Sequence, residues 1–206
     1  MRKTTFAAAV IGLFAASCVI PALAQTPAAP PPVRVRGTIE KVDGDNLTIK
    51  ARDGSDMKVA LTPTTRLQNL VKKSLADVKV GDFLASTGMK GTDGKIHAIE
   101  VRIFPEAQPD GGRQFAWDLG SDSVMTNATV GTVTEAPQGK LVHVKFKDGE
   151  SEYSIGPEVP ILAPVPADKS ALKPGAAVFL AGPKGADGTV TATFMYVEKD
   201  GIKPPM

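Results

Sequence analysis

Lys90-Gly91-Thr92-Asp93-Gly94-Lys95-Ile96-His97-Ala98 returns as Lys184-Gly185-Ala186-Asp187-Gly188-Thr189-Val190-Thr191-Ala192, 94 residues further on. At the same offset Gly37-Thr38-Ile39 meets Gly131-Thr132-Val133, and Lys79-Val80-Gly81 meets Lys173-Pro174-Gly175. Asp53-Gly54 meets Asp148-Gly149 after a one-residue shift, as a hairpin loop that absorbs an insertion would produce. A single coincidence of this kind carries little weight, but a shared order and spacing define an internal repeat. Two units follow, 33–105 and 129–201, with a connector over 106–128 and a tail over 202–206.

Within a unit the hydrophobic period is two. Apolar and charged residues alternate in Ile99-Glu100-Val101-Arg102-Ile103, and Leu47-Thr48-Ile49-Lys50 and Met57-Lys58-Val59-Ala60-Leu61 nearly do so, which predicts half-buried strands. Asp-Gly pairs between such runs supply the positive φ that tight hairpin turns require. The stretch 63–82 is less regular, and Ser74-Leu75-Ala76-Asp77 suits one capped helical turn before Gly81. Five strands with an irregular crossover after the third make an OB-like arrangement. The expected fold is therefore all-β, with two tandem small five-stranded OB-like β-barrels. Two separate barrels exclude a single continuous sheet, and they place Gly37 and Gly131 at matching strand bends and Gly81 and Gly175 at matching strand starts.

The N-terminus reads as a secretory signal peptide over 1–24. Arg2 and Lys3 precede an uncharged apolar run, and Ala22-Leu23-Ala24 offers small residues at both recognition positions, which predicts Gln25 as the mature N-terminus. A lipid-anchored form through Cys18, preceded by Ala15-Ala16-Ser17, ranks below simple export to the periplasm. The Pro/Ala-rich stretch 25–32 is read as an extended tether. After residue 24 no apolar run approaches the roughly 20 residues of a membrane-spanning helix.

Removal of Arg2 and Lys3 leaves 22 basic against 22 acidic side chains. A neutral chain with one Trp and two Tyr lacks the cationic groove and stacking platform of a nucleic-acid binder. Cys18 is the only cysteine and leaves with the signal, so the mature chain has neither a disulfide nor a thiolate.

Catalysis by proton transfer needs a positioned base. His97 and His143 are the only histidines, they do not occupy equivalent repeat positions, and neither sits in a nucleophile motif. No catalytic residue and no cofactor are assigned. Met57, Met89 and His97, with Trp117 nearby, are the residue types that hold a soft metal such as Cu(I). They form no Met-x-Met or His-x-x-Met cluster, however, and Met57 alternates with Val59 and Leu61 as a core residue would. His97 shares the parity of Ile99 and Val101, which predicts a partly buried barrel histidine. Asp43-Gly44-Asp45-Asn46 lacks the distal Glu of a calcium loop and reads as a hairpin turn.

Two surface features remain. Arg34, Arg36, Lys50 and Arg52 alternate with apolar residues, so pairing of their strands gathers four cations on one solvent face, read as an ordinary solvated strand surface ahead of an anion-binding patch. The stretch 104–128 carries Phe104, Phe115 and Trp117, together with Arg113 beside Asp110 and Asp118. An apolar centre with a charged rim at the junction of two small barrels suits recognition and equally a structural strap whose aromatic residues fill the seam; Phe104, Arg113, Phe115 and Trp117 are the candidate partner-binding residues.

Val35-Arg36-Gly37-Thr38-Ile39-Glu40, Ser74-Leu75-Ala76-Asp77-Val78-Lys79, Ile103-Phe104-Pro105-Glu106-Ala107, Trp117-Asp118-Leu119-Gly120 and the closing Pro204-Pro205-Met206 resemble a proteobacterial periplasmic family of tandem OB-like β-barrel repeats, some of whose members bear the label "metal ABC transporter permease". The resemblance spans nearly all of 25–206 and implies location and fold, not activity. A permease needs membrane spans, which the chain after residue 24 does not offer as helices; an accessory protein of a transport system does not. The sequence thus predicts a non-enzymatic periplasmic binding protein that contacts a protein or envelope component. A soft-metal or small-ligand binder serving a transport system is the alternative.

Overall fold

The computed structural model describes residues 31–104 and 110–204. The expected signal peptide with its cleavage site, Cys18 and most of the expected tether lie outside them. The described chain is all-β. Six strands precede the connector: β1 (Val33–Asp43), β2 (Asn46–Ala51), β3 (Asp56–Ala60), β4 (Arg66–Lys73), β5 (Phe83–Lys90) and β6 (Ile96–Phe104). The connector itself forms β7 (Arg113–Ala116). Seven strands follow: β8 (Ser123–Ala136), β9 (Gly139–Phe146), β10 (Gly149–Ile155), β11 (Ile161–Pro166), β12 (Ala177–Gly182), β13 (Val190–Thr191) and β14 (Phe194–Val197). Single 3-10 turns stand at Leu75–Asp77 and Lys169–Ala171. At the first, the Ser74 N–H and hydroxyl both donate to the Asp77 carboxylate, at 2.7 and 2.8 Å, which holds that carboxyl below the usual range. Among the described residues no helix is long and apolar enough to cross a membrane.

β5, β6, β8, β9 and β10 close a five-stranded barrel: β8 pairs with β9, β9 with β10, β10 with β6, β6 with β5, and β5 with β8. Its inward side chains, among them Leu84, Val101, Val130, Val142 and Ile155, form one buried cluster. A second circuit runs β12–β1–β2–β3–β13. The chain breaks off after β13, and β14 resumes from Phe194 to pair with β12. Val35, Ile39, Ile49, Val59, Val178 and Met195 fill this circuit. Each fully buried aliphatic side chain contributes about 1.5–3 kcal/mol, so two such clusters are the main stabilising element of a chain of this length.

The strands of a sequence unit do not close on themselves, which departs from the expectation of two tandem barrels. The closed barrel takes β5 and β6 from the first unit and β8 to β10 from the second, whereas the other circuit takes β1 to β3 from the first and β12 to β14 from the second. All strands but β7 lie on one continuous hydrogen-bonded path. β4 and β11 make this possible. They cross between the circuits and pair antiparallel, with Leu70 opposite Pro164, residues 94 apart. β4 then runs parallel to β14, and β11 parallel to β6. A unit of about 70 residues has little core of its own, and the exchange builds each core from both units. β4 falls in a stretch that the sequence leaves irregular, because Asn69 and Leu70 are both buried and alternation is lost.

Gly81 and Gly175 do stand at matching strand starts, at φ +92° and +90°. Gly37 and Gly131 do not match. Ile39 and Val130 make the equivalent contacts: Ile39 N–H donates to Ala176 O and its carbonyl accepts from Gly175, while Val130 N–H donates to Asp82 O and its carbonyl accepts from Gly81. Gly131 is instead the extra residue of a bulge between Val130 and Thr132, and Gly37 corresponds to Ala128. A Cβ at Gly37 would sit 2.0 Å from Lys50 O, so close backbone approach explains this glycine.

A second bulge changes the reading of β6. Thr87 pairs with Glu100 and Gly88 with Ala98, so Ile99 is the extra residue. Val101 remains inside the barrel, Ile99 is 42% exposed, and His97 turns outward instead of being partly buried. Glu100 and Arg102 are buried on the barrel's outer face, in the seam between the circuits.

Candidate functional site

Seven strands bordering the seam contribute residues two apart, since period two puts i and i+2 on one face. Arg66 and Gln68 come from β4, Phe83 and Ala85 from β5, and Arg102 and Phe104 from β6. Arg113 and Phe115 come from β7, with Trp117 just beyond it. Met125 and Asn127 come from β8, Phe179 and Ala181 from β12, and Phe194 and Tyr196 from β14. Together with Arg34 they line one cleft of about 480 Å³. A recess of about 160 Å³ adjoins it, sharing Arg102, Trp117 and Phe179 and adding Arg36 and Glu100.

The aromatic wall is continuous. Phe115 meets Trp117 edge to face at 5.9 Å, Trp117 meets Phe179 at 6.4 Å, and Phe179 meets Phe194 at 5.7 Å and stacks on Tyr196 at 6.3 Å. Such pairs add about 0.5–1.5 kcal/mol each beyond their buried area. Phe179 and Tyr196 also join Leu70 and Leu162 in a third buried cluster, with Trp117 and Phe194 packed against it.

Guanidinium groups lie on these rings. Arg34 sits 4.3 Å above Trp117, Arg36 4.6 Å from Phe179, Arg102 5.4 Å from Tyr196 and Arg113 5.1 Å from Phe115, within the range of cation–π attraction. Arg36 makes a two-pronged contact with Asp118 at 2.8 and 2.7 Å. Partial burial works to raise the Asp118 carboxyl, but the hydrogen bonds and charge of Arg36, helped by Arg34, outweigh it and hold that carboxyl below the ordinary range.

Arg102 and Glu100 form the buried pair. Nε and Oε1 are 2.9 Å apart, with side chains 6% and 11% exposed, yet neither atom makes an aligned hydrogen bond. Burial pushes the Glu100 carboxyl up, against the pull of Arg102 and Arg36. The Arg102 guanidinium, always charged, thus faces the cleft wall with Glu100 as its ion-pair partner among the described residues.

Phe104, Arg113, Phe115 and Trp117 all line this one cleft. The four cations expected on a single solvent face divide instead: Arg34 and Arg36 turn into the seam, Lys50 pairs with Asp56 at 2.8 Å, and Arg52 is exposed. Of the soft-metal candidates only Met89 and His97 come together. Met57 packs against the core of the second circuit, while Met89 pairs with His97 across the β5/β6 ladder. Both His97 ring nitrogens are engaged, Nε2 with Asp93 at 3.1 Å and Nδ1 with the Ser154 hydroxyl at 2.9 Å. Among the described residues no three His, Cys, Asp or Glu side chains converge as a metal site. Arg66, Arg102, Phe179, Phe194 and Tyr196 escape sequence reading because they come from four strands of both units. The Arg and aromatic residues alternating in Arg113-Gln114-Phe115-Ala116-Trp117 are the one local signal.

Comparison of the chain with protein-family models, with curated proteins and with solved structures finds no match. The fold and the cleft define a class only: an all-β barrel protein with a concave, arginine- and ring-lined seam.

Proposed function

We propose that this chain is a duplicated OB-like β-barrel protein, exported to the periplasm by cleavage after Ala24, which acts by binding and not by catalysis, and that it engages a protein or envelope component at the seam cleft. The observation that carries this reading is the convergence of seven aromatic residues and four arginines on one concavity. Clefts between packed units with an apolar lining and a few placed polar groups are where ligands bind. Pairings that recur 94 residues apart, such as Leu84 with Ile103 and Val178 with Val197, support duplication with exchanged strands. Neither histidine is among the residues lining the cleft, which favours recognition over proton-transfer chemistry. A small-ligand binder serving a transport system is the second reading, favoured by a cavity volume in the range of small-molecule sites.

Trp117 is the only tryptophan and lies in the cleft, so its fluorescence reports occupancy directly. The test replaces it with Ala and follows thermal stability together with binding of fractionated envelope components. Binding lost in a protein that melts normally supports the reading, and lost stability with intact binding makes Trp117 a packing residue only. If neither changes, the seam is not the site.

A further inference from the structure

The basic residues of this chain are sorted by type. Residues 25–206 contain six arginines and sixteen lysines. Four of the arginines line the cleft and a fifth, Arg36, lines the adjoining recess, whereas no lysine lines either. Charge alone does not produce this sorting, since lysine supplies the same charge. Guanidinium differs in being flat, in stacking on rings, and in presenting paired donors to an oxyanion. Aromatic residues are sorted likewise: seven of the nine in residues 25–206 line the cleft. Among the described residues the only acid on the lining is Asp110, whose carboxylate accepts from Gly112 N–H.

We propose that the seam cleft binds a flat, largely apolar ring system bearing a carboxylate or similar oxyanion, the ring lodged against the aromatic wall around Trp117 and Phe194 and the oxyanion held by Arg66, Arg102 and Arg113. This rests on the cleft being the binding site and names its ligand class. Charge complementarity selects the anion: among the described residues four guanidiniums line the cleft against one carboxylate, with Arg102 paired to Glu100 and Arg34 3.8 Å from Asp118. Arg102 is the built element: its side chain is 94% buried, and among the described residues its only ion-pair partner is Glu100. A ligand oxyanion would supply Arg102 with the aligned hydrogen bond that its Nε does not make to Glu100. The volume, about 480 Å³, accommodates a bicyclic ring with its substituent.

Calorimetric titration of the purified protein with a matched set of probes tests this: 2-naphthoate, 2-naphthalenemethanol, 2-naphthylmethylammonium and inorganic phosphate. The expected result is one naphthoate site per chain, with affinity at least about tenfold above the alcohol, since a charge-assisted hydrogen bond is worth about 1.5–3 kcal/mol, and no measurable site for the ammonium or for phosphate. Arg66→Gln and Arg113→Gln, at exposed positions that leave the fold intact, should each weaken naphthoate several-fold and leave the alcohol unchanged. The paired variant Glu100→Leu with Arg102→Met, which removes the buried arginine without stranding its partner, should do the same. Failure of naphthoate to bind, equal affinity for the ammonium, phosphate binding as tightly as naphthoate, or naphthoate binding unmoved by all three variants would each overturn the proposal. If naphthoate fails while Trp117-dependent binding of an envelope component persists, only the ligand class is wrong. If Trp117→Ala alters neither, the cleft is not the site.

Discussion

The β5/β6 hairpin of the closed barrel and the β12/β14 pair of the other circuit share a backbone and differ in what they present outward. Leu84 pairs with Ile103 in the first and Val178 with Val197 in the second, and the inward Leu84, Val101 and Ile103 are matched by the apolar Val178, Met195 and Val197 94 positions away. Outward, Ala85, Glu100 and Arg102 in one stand where Phe179, Phe194 and Tyr196 stand in the other. The two outward faces meet in the seam, and Arg102 lies over Tyr196. Inner positions are constrained by barrel packing and, Ser86 apart, stay apolar. Outer positions turned into the seam are free to diverge, and their divergence makes a site with a charged wall and an aromatic wall.

The largest effect should come from breaking the charged wall. Arg102→Met alone leaves Glu100 buried beside an apolar group, and removal of one partner of a buried pair costs about 3–5 kcal/mol. Glu100→Leu with Arg102→Met should recover most of that loss in urea unfolding. If the single and double variants are equally destabilised, packing of the Arg102 stem matters and the pair does not.

Next in size is a contrast between two glycines that the sequence equates. Gly37→Ala brings a Cβ to 2.0 Å from Lys50 O, whereas at Gly131 the nearest atom is His143 Nδ1 at 3.4 Å. Gly37→Ala should cost at least about 2 kcal/mol and Gly131→Ala no more than about 0.5 kcal/mol. Similar losses in both, measured by thermal unfolding, would restore the direct sequence alignment of β1 with β8.

The smallest effect concerns acid stability. The Asp118 carboxyl is held below its ordinary value by Arg36 and Arg34, so its contribution is present above the unfolded-state pKa and is lost as pH falls through the depressed folded value. Asp118→Asn should therefore lower stability at neutral pH and flatten the acid limb of the pH profile below about pH 4. Solvent screening at this half-exposed site limits the change to about 1 kcal/mol. An acid limb identical to that of the parent protein would show that the ion pair with Arg36 is energetically silent.

How much was legible follows from which distances a sequence encodes. The strands, the Asp-Gly hairpin turns and the capped turn at Leu75–Asp77 are local, written in period two and in residues that tolerate positive φ. Phe104, Arg113, Phe115 and Trp117 could be singled out because they cluster along the chain. His97 was misplaced since one extra residue, Ile99, inverts the side-chain parity of β6, and nothing in Ile96–Ile103 announces a bulge. Arg34 and Arg36 were read as solvated for a related reason: alternation says that they point away from the barrel interior, but not that another barrel wall faces them.

What the sequence by itself determined is therefore the all-β class, the 94-residue spacing of its matching segments and the inward face of most strands, because these depend on neighbours two to ten residues away. The tertiary structure alone decided that β4 and β11 cross over, that the strands of the two units mix in each core, and that arginines from β1, β4, β6 and β7 meet aromatic residues from β12 and β14. Pairing between strands more than 80 residues apart rests on many weak, mutually dependent contacts, and no short stretch of sequence carries that sum.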